Sequence, residues 1–288
     1  MDSISDAEKK LQGGVAVITG AGAGIGASLA RRAGTLGMTV IVTDISTSRA
    51  SSVAQSIREA GGKAEAMTVD VSQPTALDDL ARTVFDKYGS ARLLINNAGI
   101  ETLGYTWEIP TARWEATLNI NIHGVVHGCR AFIPKMLESG EECWIANLAS
   151  IGGFSVMPTQ TAYIMTKHAV QSFTECLFLE LQLKKSKISV SSVTPGMLKT
   201  SIFDEEAGKG EAEEGSGLRK TMHDMMAGYG MDVDEGCRKI MRGIAEKRFW
   251  IDTQEEMTES AIQHRVKFLL ERRDPEVHAS ARGLLEME

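Results

Sequence analysis

Thr19-Gly20-Ala21-Gly22-Ala23-Gly24-Ile25-Gly26 is the stretch whose reading decides the fold. It follows an apolar, β-branched run at 15–19 and opens a helix-like stretch at 26–36. A glycine turn between strand and helix lets the main chain approach a pyrophosphate, whose charge meets the helix N-terminus. Ala23 and Ile25 leave the turn without polar side chains, so backbone N–H groups must do the binding. A plain tight turn is the competing reading. Strand, turn and helix standing in the required order argue against it.

Working outward, the first 200 residues alternate short apolar runs with longer amphipathic ones. Strands are expected at 15–19, 39–43, 66–69, 93–95, 144–148 and 189–193, without strict polar alternation, as for strands covered on both faces. Helices are expected at 26–36, 48–60, 74–88, 112–138 and 162–184. That rhythm predicts an α/β fold, a Rossmann-type doubly wound parallel sheet in a single domain. Residues 200–232, rich in Gly, Glu and Met, break the rhythm and read as either a disordered insertion or a substrate lid. A helix at 233–246, a last strand at 249–251 and a charged amphipathic stretch at 254–273 follow. Ile262, Val266, Leu269 and Leu270 share one side of that last stretch, which suits a surface helix or a subunit contact.

Asp44 ends the second strand, 18 residues past Gly26. A carboxylate there bonds both adenosine ribose hydroxyls and repels a 2′-phosphate. No basic residue stands in the turn, and Ile45 rather than Arg follows, so NAD is expected over NADP. Capping of the next segment is the alternative role. Asp70 and Val71 are expected to end the third strand, and Asn96-Asn97-Ala98-Gly99 the fourth. Four consecutive strand ends with polar or glycine-rich turns define one cleft beyond the carboxyl edge of the sheet.

Tyr163 and Lys167 share a helix face at i,i+4 spacing. A free phenol has a pKa near 10, and a neighbouring ammonium favours the phenolate, giving an acid/base for alcohol–carbonyl interconversion. Ser150, 13 residues upstream, can hydrogen-bond a substrate oxygen. Asn121, in an otherwise apolar helical segment, can hold a water linking Lys167 to solvent, or else satisfy a broken helix turn.

A length of 288 residues with 43% apolar and 24% charged composition fits a globular protein. The net charge of −7 argues against nucleic acid, and no apolar run reaches bilayer length. Cysteines 129, 143, 176 and 237 form no C-x-x-C pair, which fits a reduced, cytoplasmic setting. His123 and His127 share a face but lack further ligands, so no metal is expected. Trp107, Met157 and Phe203, with Met222, Met225, Met226 and Met231, are candidates for an apolar substrate wall.

Taken together, Thr19-Gly20-x-x-x-Gly24-Ile25-Gly26, Asp70-Val71, Asn96-Asn97-Ala98-Gly99, Asn121, Ser150, Tyr163-x-x-x-Lys167 and Pro195-Gly196 resemble the short-chain dehydrogenase/reductase family over about residues 13–203. The resemblance implies a catalytic Ser150, Tyr163 and Lys167 supported by Asn121, with Lys167 bonding the nicotinamide ribose. It also implies that the segment from Pro195 and Gly196 to Leu198 and Thr200 lines the nicotinamide, and that the chain forms a homodimer or homotetramer through the helices at 112–138 and 162–184. The expected layout is a tail at 1–12, an oxidoreductase domain at 13–253 and a helical extension at 254–288. The expected reaction moves a hydride between NAD and a secondary alcohol or ketone, on a moderately large apolar substrate. A non-catalytic dinucleotide sensor or scaffold and a non-redox lyase or cyclase are the alternatives.

Overall fold

The computed structural model describes residues 4–211 and 214–277. Its strands are β1 (Val15–Ile18), β2 (Thr39–Asp44), β3 (Lys63–Thr68), β4 (Leu93–Asn96), β5 (Cys143–Leu148), β6 (Ile188–Thr194) and β7 (Trp250–Asp252). They form one seven-stranded sheet in the order β3-β2-β1-β4-β5-β6-β7, each pairing parallel. β1, β4 and β5 are buried at every position, as strands covered on both faces must be.

The helices are α1 (Gly24–Thr35), α2 (Thr47–Glu59), α3 (Pro74–Tyr88), α4 (Thr111–Leu118), α5 (Gly124–Ser139), α6 (Thr161–Leu183), α7 (Glu214–Tyr229), α8 (Val233–Ala245) and α9 (Glu255–Glu271). Alternate residues of β1 serve opposite layers, as the two-residue strand period requires. Ala16 and Ile18 pack with Leu29 of α1, Ile57 of α2 and Ile240 of α8. Val15 and Val17 pack with Leu80 of α3, Phe132 of α5 and Leu177 of α6. The chain runs outward from β1 to β3, then returns to β4 and proceeds the other way. The crevice where that direction reverses, beyond β1 and β4, is where open α/β sheets bind ligands.

Three sequence expectations shift. β3 begins at Lys63 and stops at Thr68, not 66–69, and Asp70 and Val71 lie in the turn beyond it. It is an edge strand whose polar residues hid its start; Glu65 takes bonds from Lys87 Nζ (2.5 Å) and Tyr88 Oη (2.6 Å) of α3. β7 begins at Trp250, one residue later than expected. The long helix at 112–138 is split by one π-helical turn, Asn119–His123, between α4 and α5. Within the N-terminal tail, Leu11 is buried in the core, and Glu8 takes bonds from Arg32 Nε (2.9 Å) and Nη2 (2.8 Å) on α1.

Residues 200–232 fold into two short helical turns, Ser201–Phe203 and Glu205–Gly208, followed by α7. Positions 212 and 213 of this segment, and 278–288 of the C-terminal extension, lie outside the described residues. On α9, Ile262, Val266, Leu269 and Leu270 are solvent-exposed. No helix among the described residues is long and apolar enough to cross a membrane.

Under the crevice runs a buried polar ladder. Asn96 and Asn147 are register partners on β4 and β5, and Asn96 Nδ2 donates to Asn147 Oδ1 at 2.8 Å. Asn147 Nδ2 in turn donates to Thr174 Oγ1 of α6 at 3.1 Å. Gly128 lets α5 close over the ladder, since a Cβ there would lie 2.1 Å from Asn96 Oδ1.

Candidate active site

The glycine turn is tight for two different reasons. Gly20 has φ +61° and Gly24 φ +52°, in the left-handed region that favours glycine. Gly26 instead sits in α1 where a Cβ would fall 2.3 Å from Gly20 O and 2.4 Å from Asn97 Nδ2. Asn97 clamps the turn to β4: its Nδ2 donates to Thr19 O (2.9 Å) and Gly20 O (3.1 Å), and its N–H to Thr19 Oγ1 (3.0 Å). Ala98 N–H shares that hydroxyl at 3.1 Å. Ala23 is the extended residue before α1, and Ile25 is partly buried against the core. These contacts leave a cradle of main chain at the start of α1.

Asp44 ends β2 beside this cradle. Its Oδ2 accepts from Gly22 N at 3.0 Å, and its Oδ1 from Ser46 N at 2.9 Å and from Arg49 Nη2 at 2.8 Å. Asp44 is therefore more than a helix cap: Ser46 fills that place for α2, accepting from Arg49 N. Arg49 is a partner that sequence reading missed. Asp70 Oδ1 accepts from Ser72 N (2.9 Å) and Oγ (2.7 Å), holding the turn in which Val71 packs against Gly124.

At the other side of the crevice, Gly99 brings the chain after β4 to the proton-handling groups. A Cβ on Gly99 would lie 3.3 Å from Asn121 Oδ1 and 3.7 Å from Lys167 Nζ. Asn121 is buried in the π turn, yet its amide does not repair the helix. Its Oδ1 accepts from Ile100 N (2.8 Å), and its Nδ2 donates to Ile100 O (2.9 Å) and Thr166 Oγ1 (3.1 Å). Lys167 is buried on α6, donates from Nζ to Leu148 O at 2.8 Å, and lies 5.2 Å from the centroid of the Tyr163 ring. Ser150 follows β5 and its hydroxyl accepts from Gly152 N at 3.0 Å. Ser150, Tyr163, Lys167 and Asn121 thus come together across 46 residues of sequence, because α6 meets the end of β5 through Lys167 and Leu148 O and meets the π turn through Thr166 and Asn121.

Glu101 joins them unannounced by any motif. It is fully enclosed, and burial pushes its carboxyl well above the usual carboxylate range. Burial also pushes Lys167 down to about 8, with Glu101 acting against that fall. Enclosure of the Tyr163 ring, then Glu101, push the phenol above its ordinary value, and a hydrogen bond with Ser150 pulls the other way.

The segment after β6 closes the crevice. Pro195 O accepts from Ile151 N at 3.0 Å, and Gly196 N donates to Thr253 Oγ1 at 3.2 Å. Leu198 is buried with its side chain against Gly236 of α8, leaving its main chain as the group it can offer. Thr200 lies over the glycine turn, its Cβ 3.3 Å from where a Gly24 Cβ would stand. Leu103, Met157, Leu218 and Met222 line a narrow, largely apolar pocket with Thr159, Gln160 and Thr221. Phe203 and Met226 are buried together with Leu103, whereas Trp107 is 79% exposed and stacks on Tyr105. A buried ion cluster holds this wall in place. Arg219 of α7 meets Glu211 at 2.5 and 2.9 Å, and Glu211 Oε1 also accepts from Leu103 N at 2.8 Å. Arg113 of α4 donates to Glu101 O (2.7 Å) and Ala207 O (2.9 Å).

Comparison with known proteins finds relatives that share this fold. A solved short-chain dehydrogenase/reductase from Burkholderia phymatum, in complex with NAD, superimposes with a TM-score of 0.88 at 28% identity, covering 93% of this chain and 98% of that one. A metagenomic short-chain oxidoreductase in complex with NADP gives 0.61 at 32% identity over 65% of this chain and 84% of its own. A CLA biosynthesis dehydrogenase/reductase from Lactiplantibacillus plantarum is 28% identical over 274 residues, 92% of this chain and 96% of that protein. The family model for short chain dehydrogenase matches residues 14–210, well over half of the sequence, so the chain belongs to that family.

Proposed function

We propose that this protein is an NAD-linked oxidoreductase that interconverts a secondary alcohol and its ketone, with Tyr163 moving the proton. The observation that carries this reading is the convergence of Ser150, Tyr163 and Lys167 on one side of a crevice whose other side is the main-chain cradle at Gly20, Gly24 and Gly26.

The residues present fit a dinucleotide. The cradle has no room for a Cβ at Gly26, the start of α1 can meet a pyrophosphate, and Asp44 can take a ribose hydroxyl on the remaining lone pair of Oδ2. Ala98 and Gly99, and the main chain from Pro195 to Thr200, would border the rest of the cofactor, with Asp70 and Val71 beside its adenine end. When bound, the nicotinamide supplies hydride acceptance and donation, which no side chain can provide.

The chain's own residues handle the proton and the oxygen. Ser150 Oγ offers a donor to the reacting oxygen. Tyr163 takes the alcohol proton, or returns it to the carbonyl. Enclosure keeps its phenol protonated in the free protein, so the nearby Lys167 ammonium must favour the phenolate for oxidation. Lys167 would reach a ribose hydroxyl by leaving Leu148 O. Asn121, pinned by both main-chain groups of Ile100, holds the helix break open beside Lys167, where a water can relay the proton outward. The apolar wall and the segment at 200–232 serve as a lid for a moderately large, apolar substrate.

Purified protein given NAD and a panel of secondary alcohols should raise absorbance at 340 nm. Tyr163→Phe should cut that rate by at least about 100-fold, the lower range for a lost general acid/base, while dinucleotide binding persists. Binding without turnover on a broad panel, or full activity in Tyr163→Phe, would refute the assignment.

A further inference from the structure

Lys167 carries its charge into an enclosed place. It is 5% exposed, and its Nζ donates to Leu148 O at 2.8 Å, one main-chain acceptor for a group with three N–H donors. A buried ammonium is costly unless a counter-charge stands close. The enclosed carboxylates of Glu8, Asp44 and Glu211 already meet arginines, Arg32, Arg49 and Arg219. Glu101 is placed otherwise. Gly99, two residues before it, comes so near Lys167 that a Cβ there would lie 3.7 Å from Nζ, and Asn121 pins the intervening Ile100 through both main-chain groups. The bonds from Arg113 (2.7 Å) and Arg219 (3.5 Å) to Glu101 go to its main-chain oxygen, while its carboxyl accepts from Thr102 N at 3.3 Å. Glu101 is 3% exposed, so its carboxyl is sealed in with Tyr163 and Lys167.

We propose that Glu101 is a positioning residue of the reaction: its buried carboxylate is the counter-charge that holds Lys167 as an ammonium beside Tyr163. This rests on the oxidoreductase reading above and deepens it. Burial pushes Glu101 up and brings Lys167 down to about 8, and each charge resists that effect on the other: the ammonium favours the carboxylate, and the carboxylate favours the ammonium. For Tyr163, enclosure and then the same anion disfavour the phenolate. The other charges at Glu101 are Arg219 of α7, which favours its carboxylate, and Glu211, which opposes it; Arg113 of α4 belongs to the same cluster. A negative charge favours the protonated form of every neighbour, so Glu101 acts on Tyr163 and Lys167 in one direction. Without it both should titrate at lower pH: Tyr163 gives up its proton more readily, and Lys167 loses its charge sooner.

Carbon NMR of the full chain, isotopically labelled at lysine Cε and glutamate Cδ, follows both ionisations without turnover. Lys167→Met and Glu101→Asp each delete one signal and so assign it. In the unmodified protein Glu101 should ionise at a lower pH than the one at which Lys167 loses its proton; the reverse order would leave no counter-charge and overturn the proposal. In Glu101→Gln, Lys167 should titrate at least about half a pH unit lower, and in Glu101→Asp, which keeps the charge on a shorter arm, by less. The pH profile of kcat/KM for NAD-dependent oxidation of a secondary alcohol is the second readout. Both limbs should move to lower pH in Glu101→Gln, so that on the alkaline limb the rate falls at least about threefold further than in the unmodified protein. A profile lowered equally at every pH, or an unmoved Lys167 signal, would make Glu101 a packing residue and overturn the proposal. Absence of turnover on every alcohol would remove the oxidoreductase reading, whereas the two NMR titrations would still decide whether Glu101 and Lys167 are a charged pair.

Discussion

Replacing Arg219 by Met isolates what holds the substrate wall. The guanidinium is nearly sealed from solvent and gives two bonds to Glu211, one to Ile202 O at 2.8 Å and a longer one to Glu101 O at 3.5 Å. Without it, among the described residues Glu211 keeps Leu103 N and Arg113, whose Nη2 stands 3.7 Å away. A buried carboxylate stripped of its main partner costs about 3–5 kcal/mol. That is less than the roughly 5–15 kcal/mol that holds a typical domain together. The segment at 201–229 is held otherwise by a small apolar group around Leu103, Phe203 and Met226, so the loss should open it locally and leave the sheet intact. At about 1.4 kcal/mol per decade, exchange protection of the α7 amides should drop by roughly 100- to 4,000-fold. Hydrogen-exchange mass spectrometry reads this directly, with peptides from β1, β4 and β5 as the unaffected reference. The same variant should raise KM with dinucleotide affinity little changed. Arg219→Met combined with Glu211→Met should recover much of the protection, because an apolar pair removes the stranded charge. Unchanged α7 exchange, or an equal loss in the central strands, would refute a local clasp.

Three further outcomes follow from groups at the crevice. Gly26→Ala should weaken dinucleotide binding by at least about tenfold and cost about 1–3 kcal/mol in urea unfolding, since its Cβ meets backbone 2.3 Å away; wild-type affinity would show that the turn yields freely. Lys167 is pushed from an ordinary 10.5 down to about 8 by burial, so the folded state pays for its charge fully below pH 8 and less up to pH 10.5. The stability of Lys167→Met relative to the unmodified protein should therefore be greatest below pH 8 and decline above it; a pH-independent difference would contradict this. Glu101, held well above its usual 4.5, has the opposite consequence for a carboxyl: the unmodified protein loses stability as pH rises past 4.5, and Glu101→Gln should not. Parallel stability curves for the two proteins would remove Glu101 from the account.

The parts of the site legible in sequence are those written in local order. Gly20 to Gly26 announce a turn because strand, glycines and helix adjoin, and Tyr163 and Lys167 announce themselves by a helical repeat. Asp44 was legible as a strand end, but its partner was not: Arg49 meets it only because Ser46 turns the chain into α2. Glu101, Glu211, Arg219 and Arg113 lie in separate elements, and nothing local marks an acid or a base that will be buried with a distant partner. The break at Asn119–His123 is legible only as one of two readings of Asn121, for a related reason. The segment continues an apolar helical pattern, and the bonds from Asn121 to Ile100 that go with the break are tertiary. β3 was misplaced because Lys63 and Glu65 resemble a loop until the edge of the sheet is known.

The ladder from Asn96 through Asn147 to Thr174 bears on how the chain finds its fold. Adjacent parallel strands made of Val, Ile, Leu and Ala offer many nearly equivalent ways to pair, and their non-local contacts form late and slowly. A shift of β5 along β4 would keep much of the apolar burial but separate Asn96 from Asn147, leaving a buried amide unmatched at about 1–3 kcal/mol. The two asparagines therefore penalise a misaligned sheet and hold the ends of β4 and β5, from which Gly99 and Ser150 emerge, level with one another.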